Sequence, residues 1–439
     1  MLTSLEVANF RVFSEPVVIR FRPITVLIGR NSAGKSTLVK FLLMLQQSLD
    51  VTQRQFLVSD GPRVKLGEFS ELRNSLRGDV SLRFRLHFTT SDLPEERQLL
   101  LLKAAKNVRP RIDPYTDESQ FTFSVPAHAG QAAIQEQTAD VELKGQVSYS
   151  PRGQYGIHQV VVTLGNTKVH EDFGRLRNPD VRLLQFPARS TEPHHTVARI
   201  LADRFLTPIR YELSSIRHLE AVREESTRVI VTATPPEDDV GQRGQFAMPQ
   251  LQRLLLENGD GADFVRRHLA RIADVEDIRF ESTMRGYIAN AKAVNRCTKA
   301  ESHLSDFGFG VGQCLPVIVQ GGIAPRGHLV MVEQPEAQLH PTAQLEMGDF
   351  LAELWMKRGV HSLIETHSAN IILRLRALIS EGKLTAEDLS IAYLYTDEEG
   401  TPRVKNLRVS EDGKLEPGLP MEFFGADVID SMRIGAKRE

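Results

Sequence analysis

Alternating apolar and polar residues predict β-strands along the first part of the chain. Residues 2–9 and 16–22 are short strand-like runs, and residues 79–88 (DVSLRFRLHF) alternate strictly. Such alternation is typical of a half-buried antiparallel strand. Residues 142–150 and 159–164 are further strand candidates. These patterns therefore predict an antiparallel β subdomain in the N-terminal region.

The pattern weakens between residues 92 and 210, which are polar, interrupted by proline and irregular. We predict helices over 95–108 and 196–205, although the consecutive leucines of the first helix define no amphipathic stripe. His194 and His195 are adjacent in a polar loop and make a poor pair of metal ligands. We interpret residues 92–210 as an insertion or lid-like subdomain.

Strands and helices alternate again from residue 211 onward. We predict a strand over Arg210 to Glu220, helices over 248–256 and 263–272, a hairpin over 277–289 and core strands over 327–333, 362–367 and 388–395. Strands that alternate with helices favour a parallel core sheet. We therefore predict that residues 1–91 and 211–439 together form an α/β domain with a mixed core sheet. Residues 92–210 are predicted to be an insertion in this domain.

Composition and charge narrow the class of protein. The chain has 439 residues, 25% charged and 41% hydrophobic, with a formal net charge of -2. This balance is ordinary for a globular protein and gives no overall basic surface for nucleic acid. Cys297 and Cys314 are the only cysteines, which excludes a disulfide framework. With no membrane-length apolar run and no signal-peptide profile, we expect a cytoplasmic protein.

A phosphate-binding loop is the strongest motif. Residues 29–37 read GRNSAGKST and fit the P-loop pattern G-x-x-x-x-G-K-[ST]. Glycines let backbone N–H groups turn toward phosphate oxygens, and Lys35 supplies a positive charge. The Ser36 hydroxyl is a suitable ligand for Mg²⁺. The motif lies between an apolar strand, residues 24–28, and a helix, as this function requires.

Three further features lie in the C-terminal half. A glycine-rich turn, FGFGVGQ at 307–313, opens a helix. Glu333 follows the apolar strand residues 329–332, where an acid can bind Mg²⁺ or its water shell. His367 ends another strand, where it can sense the terminal phosphate of a nucleotide.

Taken together, these motifs resemble those of ABC-type ATPases of the SMC, RecF and OLD branch. The sequence is most similar to the small single-chain ATPases of bacterial antiphage and overcoming-lysogenization-defect-like systems. The matching stretches are GRNSAGKST, FGFGVGQCLP, VMVEQPEAQLHP and ETHS, with weaker matches at LGEFSEL, LEAVREES and DDVGQRGQ. The resemblance implies a P-loop ABC-type fold with a helical signature lobe.

The resemblance also implies roles for individual residues. The triphosphate of ATP would be bound by Gly29, Asn31, Ser32, Ala33, Gly34, Lys35, Ser36 and Thr37. Mg²⁺ would be bound by Ser36 and Glu333. The signature, which binds the nucleotide of a second subunit, would comprise Gly310, Gly312 and Gln313. Leu339, His340 and Pro341 match the segment that crosses the dimer interface, and His367 matches the switch histidine.

One position departs from the family pattern. Many ABC ATPases have Asp-Glu at the end of this strand, and the Glu polarises the attacking water. Here the pair is Glu333 and Gln334, and an amide cannot accept a proton as a carboxylate does. Glu336 is a candidate substitute. We therefore expect hydrolysis that is slow or dependent on a partner.

The leading interpretation is an ATPase that forms a homodimer or higher homo-oligomer around ATP and controls a separate effector, such as a nuclease, in phage defence. After His367 the chain is too short for the nuclease domain of larger OLD proteins, and Asp427 and Asp430 are interpreted as solvent-facing. One alternative is a RecF-like DNA-repair ATPase that binds DNA. Another is a scaffold that binds ATP without turnover. A transporter ATPase is disfavoured because the signature reads GVGQ.

Overall fold

The computed structural model describes residues 1–49, 57–74, 81–89, 139–150, 153–164, 167–172, 209–224, 230–231, 238–283 and 288–418. The chain divides into two compact units. We call Met1–Phe21, Thr37–Ser215 and Asp397–Pro402 the β unit. We call Arg22–Ser36, Ile216–Thr396 and Arg403–Glu439 the P-loop unit. Several predicted features lie outside the described residues, namely the helices 95–108 and 196–205, His194 and His195, the turn at Met284 to Gly286, and Asp427 and Asp430.

The β unit is built on one antiparallel sheet with strand order β2-β1-β4-β5-β6-β7. Its strands are β1 (Leu2–Ala8), β2 (Val17–Arg20), β4 (Ser81–Thr89), β5 (Ala139–Ser150), β6 (Gly153–Leu164) and β7 (Thr167–Asp172). Every pairing along this path is antiparallel. The strands predicted from alternation are therefore confirmed.

One face of this sheet is buried against helix α1 (Lys35–Gln47). In β4, Leu82, Phe84 and Leu86 are buried. The Phe84 ring lies 5.6 Å from the ring of Phe41 on α1, in an edge-to-face arrangement. A short helix, α2 (Phe69–Leu72), lies between α1 and β4. Burial of alternate residues is what fixes the register of such a sheet.

The P-loop unit contains a seven-stranded sheet with strand order β17-β16-β15-β3-β14-β13-β8. Its strands are β3 (Ile24–Gly29), β8 (Arg217–Leu219), β13 (Leu329–Glu333), β14 (His361–Glu365), β15 (Leu389–Thr396), β16 (Pro402–Val409) and β17 (Leu415–Glu416). The five strands from β15 to β8 run parallel, whereas β16 and β17 are antiparallel. The predicted mixed core sheet is confirmed.

Helices cover this sheet and share its core. They are α3 (Ala247–Glu257), α4 (Asp260–Ile272), α5 (Phe309–Ile323), α6 (Pro341–Arg358) and α7 (Ala369–Ser380). Buried residues of α5, such as Ile318, belong to the same hydrophobic cluster as Val26 of β3. The helical lobe that carries the signature is therefore a layer on the sheet and shares one core with it.

A smaller antiparallel sheet completes the P-loop unit. Its strands are β9 (Ile230–Val231), β10 (Val275–Thr283), β11 (Ile288–Asn295) and β12 (Glu301–His303). Strands β10 and β11 pair antiparallel from Val275 with Asn295 to Thr283 with Ile288. The predicted hairpin is confirmed, and its second strand continues beyond the predicted end.

Local sequence explains where helices α6 and α7 begin and end. Pro341 occupies the first turn of α6, after the N-cap His340, and the helix ends at Gly359, which adopts a left-handed φ of 63°. The side chain of Ser368 accepts a hydrogen bond from the backbone N–H of Ile371 and caps α7. Helix α7 therefore begins at Ala369, two residues after His367.

One sequence prediction is wrong. Arg210 to Glu220 was expected to be a strand, but residues 209–214 are helical and only β8, at 217–219, is extended. Ile209, Leu213 and Ile216 are all buried. Ile209 and Leu213 are four residues apart, which is the spacing of a helix face, so this segment carries a helical pattern although its residue types suit either structure.

Candidate nucleotide site

The P-loop connects β3 to α1 through a strained turn. Gly29 has a φ of 147°, and a Cβ at this position would lie 2.0 Å from the backbone oxygen of Leu394. Ser32 and Gly34 have φ values of 64° and 100°. Positive φ at successive turn positions directs backbone N–H groups into a concave, anion-binding surface. Only glycine fits at position 29, so the first fixed residue of the motif has a structural explanation.

The remaining loop residues divide by exposure. Asn31 and Ser32 are exposed, Ala33 and Gly34 are buried, and Thr37 is half-buried. The first turn of α1 follows the loop directly, which gives an anion the unpaired N–H groups of a helix N-terminus. The predicted phosphate-binding residues therefore run from the end of β3 through the loop into the first turn of α1.

Lys35 lies inside the loop. Its side chain is buried, and Nζ donates hydrogen bonds of 2.9 Å to the backbone oxygens of both Gly29 and Arg30. Burial lowers the pKa of Lys35, and the nearby carboxylate of Glu365 opposes that shift. The loop thus concentrates one positive charge where the motif expects the β and γ phosphates.

Ser36 contacts an acid that sequence reasoning did not assign. Its hydroxyl Oγ lies 3.1 and 2.9 Å from the two carboxylate oxygens of Glu365. Glu365 is the last residue of β14, which lies between the P-loop strand β3 and β13. The sequence signal was the same as for Glu333, an acid at the end of an apolar strand.

Glu333 has a different neighbour. Its carboxylate Oε1 lies 2.9 Å from Nε2 of His218 on the edge strand β8. The other ring nitrogen of His218 lies 3.3 Å from Nε2 of Gln242. His218 is buried, so this contact fixes the direction of the Glu333 side chain. His218 was also missed, because nothing in its local sequence distinguishes it from a core residue.

Gln334 and Glu336 follow in the loop after β13. Gln334 has a left-handed φ of 46°, and its backbone N–H donates to the backbone oxygen of Glu365 at 2.7 Å. Glu336 accepts a hydrogen bond of 2.8 Å from the backbone N–H of His367 through Oε1. The other oxygen of Glu336 is buried and has no hydrogen-bond partner among the described residues. The structure therefore brings Glu336 and His367 together.

His367 and Lys35 are electrostatically linked. Partial burial of the ring lowers the pKa of His367, and the positive charge of Lys35 lowers it further. The ends of β13 and β14 and the loops that follow them thus carry the imidazole of His367 and the carboxylates of Glu333, Glu336 and Glu365.

The signature turn is tightly packed. A Cβ at Gly310 would lie 2.7 Å from the backbone oxygen of Gln338, so glycine permits the close approach of α5 to the Gln338–Leu339 segment. Gly312 is half-buried. Gln313 is buried, and its backbone oxygen accepts a hydrogen bond of 3.1 Å from Nη1 of Arg223. The Gln313 side chain therefore lies inside this chain.

Arg223 joins the signature helix to the Glu333 strand. Besides its bond to Gln313, its Nη2 donates to the backbone oxygen of Glu333 at 2.7 Å. Burial lowers the pKa of Arg223 to about 10, so the guanidinium is charged at neutral pH. The motif LEAVREES was noted as a similarity, but its arginine had no assigned role.

The donor set suits a magnesium nucleotide. Mg²⁺ prefers hard oxygen ligands and takes only one or two carboxylates from the protein, with phosphates and water completing its shell. Ser36, Glu365 and the strand-end Glu333 offer such oxygens. Within the described residues, no cluster of three or more His, Cys, Asp or Glu side chains forms an all-protein metal site.

Comparison with known proteins agrees with this geometry. A model of the AAA ATPase domain matches residues 1–94 and 261–372. These stretches contain the P-loop, the signature turn, Glu333 and His367. The chain is an ATPase. No curated protein matches it.

Several solved structures of SMC head domains are similar to the ATPase at low identity. One is an SmcHead bound to the C-winged helix domain of ScpA, with 12% identity, coverage of 93% of this chain and 98% of that chain, and a TM-score of 0.45. The SMC head domain from Thermotoga maritima has 10% identity, coverage of 93% and 99%, and a TM-score of 0.40. The Pyrococcus furiosus Smc head with an extended coiled coil, bound to the C-terminal domain of ScpA, has 12% identity, coverage of 93% and 96%, and a TM-score of 0.41.

Among the described helices, none combines the length and the apolar character that crossing a bilayer requires.

Proposed function

We propose that the ATPase binds Mg²⁺ and ATP at the P-loop and forms a homodimer around the nucleotide. In this dimer, Gly310, Gly312 and the helix that they open face the nucleotide of the second copy, while Gln313 supports that helix from inside. Gly29 to Thr37 bind the triphosphate, Ser36 and Glu333 serve Mg²⁺, and His367 senses the terminal phosphate. The observation that supports this most directly is the buried Lys35 in a loop of positive φ, beside Ser36, whose hydroxyl contacts the strand-end acid Glu365.

The proposed output of the dimer is control or scaffolding of a separate effector in bacterial antiphage defence. This part rests on the family resemblance and on Gln334, which replaces the usual carboxylate and favours long-lived ATP binding over rapid turnover. A nucleotide that is hydrolysed slowly keeps two subunits together, and the lifetime of this dimer sets how long a partner is engaged. Glu336, next to His367, is the proposed substitute base.

The test combines ATP turnover with mass in solution. We expect the wild type to hydrolyse ATP slowly and to double its mass with ATP, measured by light scattering. Lys35→Ala is expected to lose both properties because the charge that attracts the phosphates is gone. Lys40→Ala, on the same helix, is the matched control and is expected to retain both.

A second variant separates dimerisation from binding. Gly312→Asp places a negative charge on the signature turn, and we expect it to bind nucleotide normally but to remain a monomer with ATP. Salt-dependent binding of DNA by the isolated wild type would favour the alternative DNA-repair function. Absence of nucleotide binding by the wild type would contradict the whole proposal.

A further inference from the structure

Glu365 ends β14, the strand that lies next to the P-loop strand β3 on the side of Glu333. In the parallel sheet it is the register partner of Glu333 on one side and of Leu27 on the other. Neighbouring strands lie about 4.8 Å apart, so Glu365 stands one strand closer to the P-loop than Glu333 does. Only 5% of Glu365 is exposed.

The contacts of Glu365 are those expected of a metal-binding carboxylate. Both of its oxygens face the hydroxyl of Ser36, at 3.1 and 2.9 Å, and this hydroxyl is the P-loop ligand for Mg²⁺. A buried carboxylate is costly unless charges or hydrogen bonds compensate it. The negative charge of Glu365 also opposes the burial that lowers the pKa of Lys35.

The register partner Glu333 points elsewhere, because its Oε1 is bonded to His218 at 2.9 Å. Two acids therefore stand at neighbouring strand ends, and the one that sequence reasoning left unassigned contacts the P-loop serine. We infer that Glu365 is a Mg²⁺-binding carboxylate of the nucleotide site, acting beside Ser36, directly or through a water molecule, and in addition to Glu333. This inference rests on the proposed nucleotide site.

The test is the magnesium dependence of nucleotide affinity in Glu365→Gln. This substitution preserves the size of the side chain and leaves an oxygen that accepts from Ser36. Titration calorimetry with a non-hydrolysable ATP analogue is performed once in EDTA and once with saturating Mg²⁺. We expect the gain in affinity from Mg²⁺ to fall by about tenfold or more relative to wild type. In EDTA we expect equal or tighter binding, because a negative charge near the phosphates has been removed.

A smaller Mg²⁺ gain without weaker binding in EDTA distinguishes a metal-binding role from a structural one. A purely structural Glu365 would weaken binding equally with and without Mg²⁺, and an uninvolved one would leave the Mg²⁺ gain at its wild-type value. Either result overturns the inference while leaving nucleotide binding, and thus the proposed function, intact. Failure of the wild type to bind the analogue in either condition would overturn both.

Two further variants complete the design. Glu365→Asp retains a carboxylate on a shorter side chain and is expected to restore part of the Mg²⁺ gain, which also protects the test if Glu365→Gln folds poorly. Glu353→Gln is the matched control, because Glu353 is a partly buried acid of the same unit whose partners are Arg267, Arg271 and Lys357. We expect it to leave the Mg²⁺ gain unchanged.

Discussion

The ends of β13 and β14 differ although each finishes with a glutamate at the same level of the sheet. Glu365 of β14 contacts Ser36 of the P-loop, whereas Glu333 of β13 contacts the buried His218. The difference comes from the neighbouring strands, since β14 lies next to β3 and β13 lies next to β8. An acid at the end of a strand is thus given its role by the strand order.

The largest effect is expected from removing the charge of Glu333. Glu333→Gln should reduce ATP turnover by about 10²- to 10³-fold, because a charge that orients Mg²⁺ and water is lost where charge develops in the reaction. ATP affinity should change little, as Ser36 and Glu365 remain. Turnover and affinity of the variant are measured side by side. Equal losses in both would mean that Glu333 acts mainly in binding.

The next largest effect is an expected increase in ATP turnover. Gln334→Glu restores a carboxylate at the position where related ATPases have one, and a well-placed general base contributes about 10²-fold. We therefore expect faster turnover and a shorter-lived ATP-bound dimer. The backbone bond from Gln334 to Glu365 does not involve the side chain and should survive. Unchanged turnover would indicate that Glu336 or another group already acts as the base.

His218→Ala tests whether the contact to Glu333 matters. A positioning partner of a metal-site acid is worth about 10- to 100-fold, so we expect kcat to fall by about tenfold with KM nearly constant. His218→Gln retains an N–H donor and should recover part of the loss. A fall in thermal stability without a change in kcat would mean that His218 serves only the core.

The smallest effect is expected at the helix that follows β14. Ser368→Ala removes the cap of α7 and a bond of 2.7 Å to Gln344, which should cost about 1 kcal/mol of stability. Thermal denaturation measures this cost. The Mg²⁺ gain in nucleotide affinity should stay at its wild-type value, because Glu365 is not touched. A change in that gain would show that the position of Glu365 depends on the N-cap of α7.

Sequence patterns predicted most elements of the fold, because the strands around the P-loop are apolar runs and those of the β unit alternate. The P-loop itself was recognisable because its chemistry fixes four positions within eight residues. The helix at 209–214 was missed because its residue types suit either structure. Glu365, His218 and Arg223 were missed for another reason. Their partners lie far away in sequence, at Ser36, Glu333 and Gln313, and become visible only once the strand order is known.

Arg223 has a mechanical consequence. One guanidinium group bonds to the backbone of Gln313, at the start of α5, and to the backbone of Glu333, at the end of β13. If the start of α5 is displaced, the end of β13 must move with it or buried hydrogen bonds are broken. Each buried group left unsatisfied costs about 1–3 kcal/mol of stability. The guanidinium therefore couples the start of α5 to the end of β13. A displacement of the start of α5 would therefore be transmitted to the end of β13.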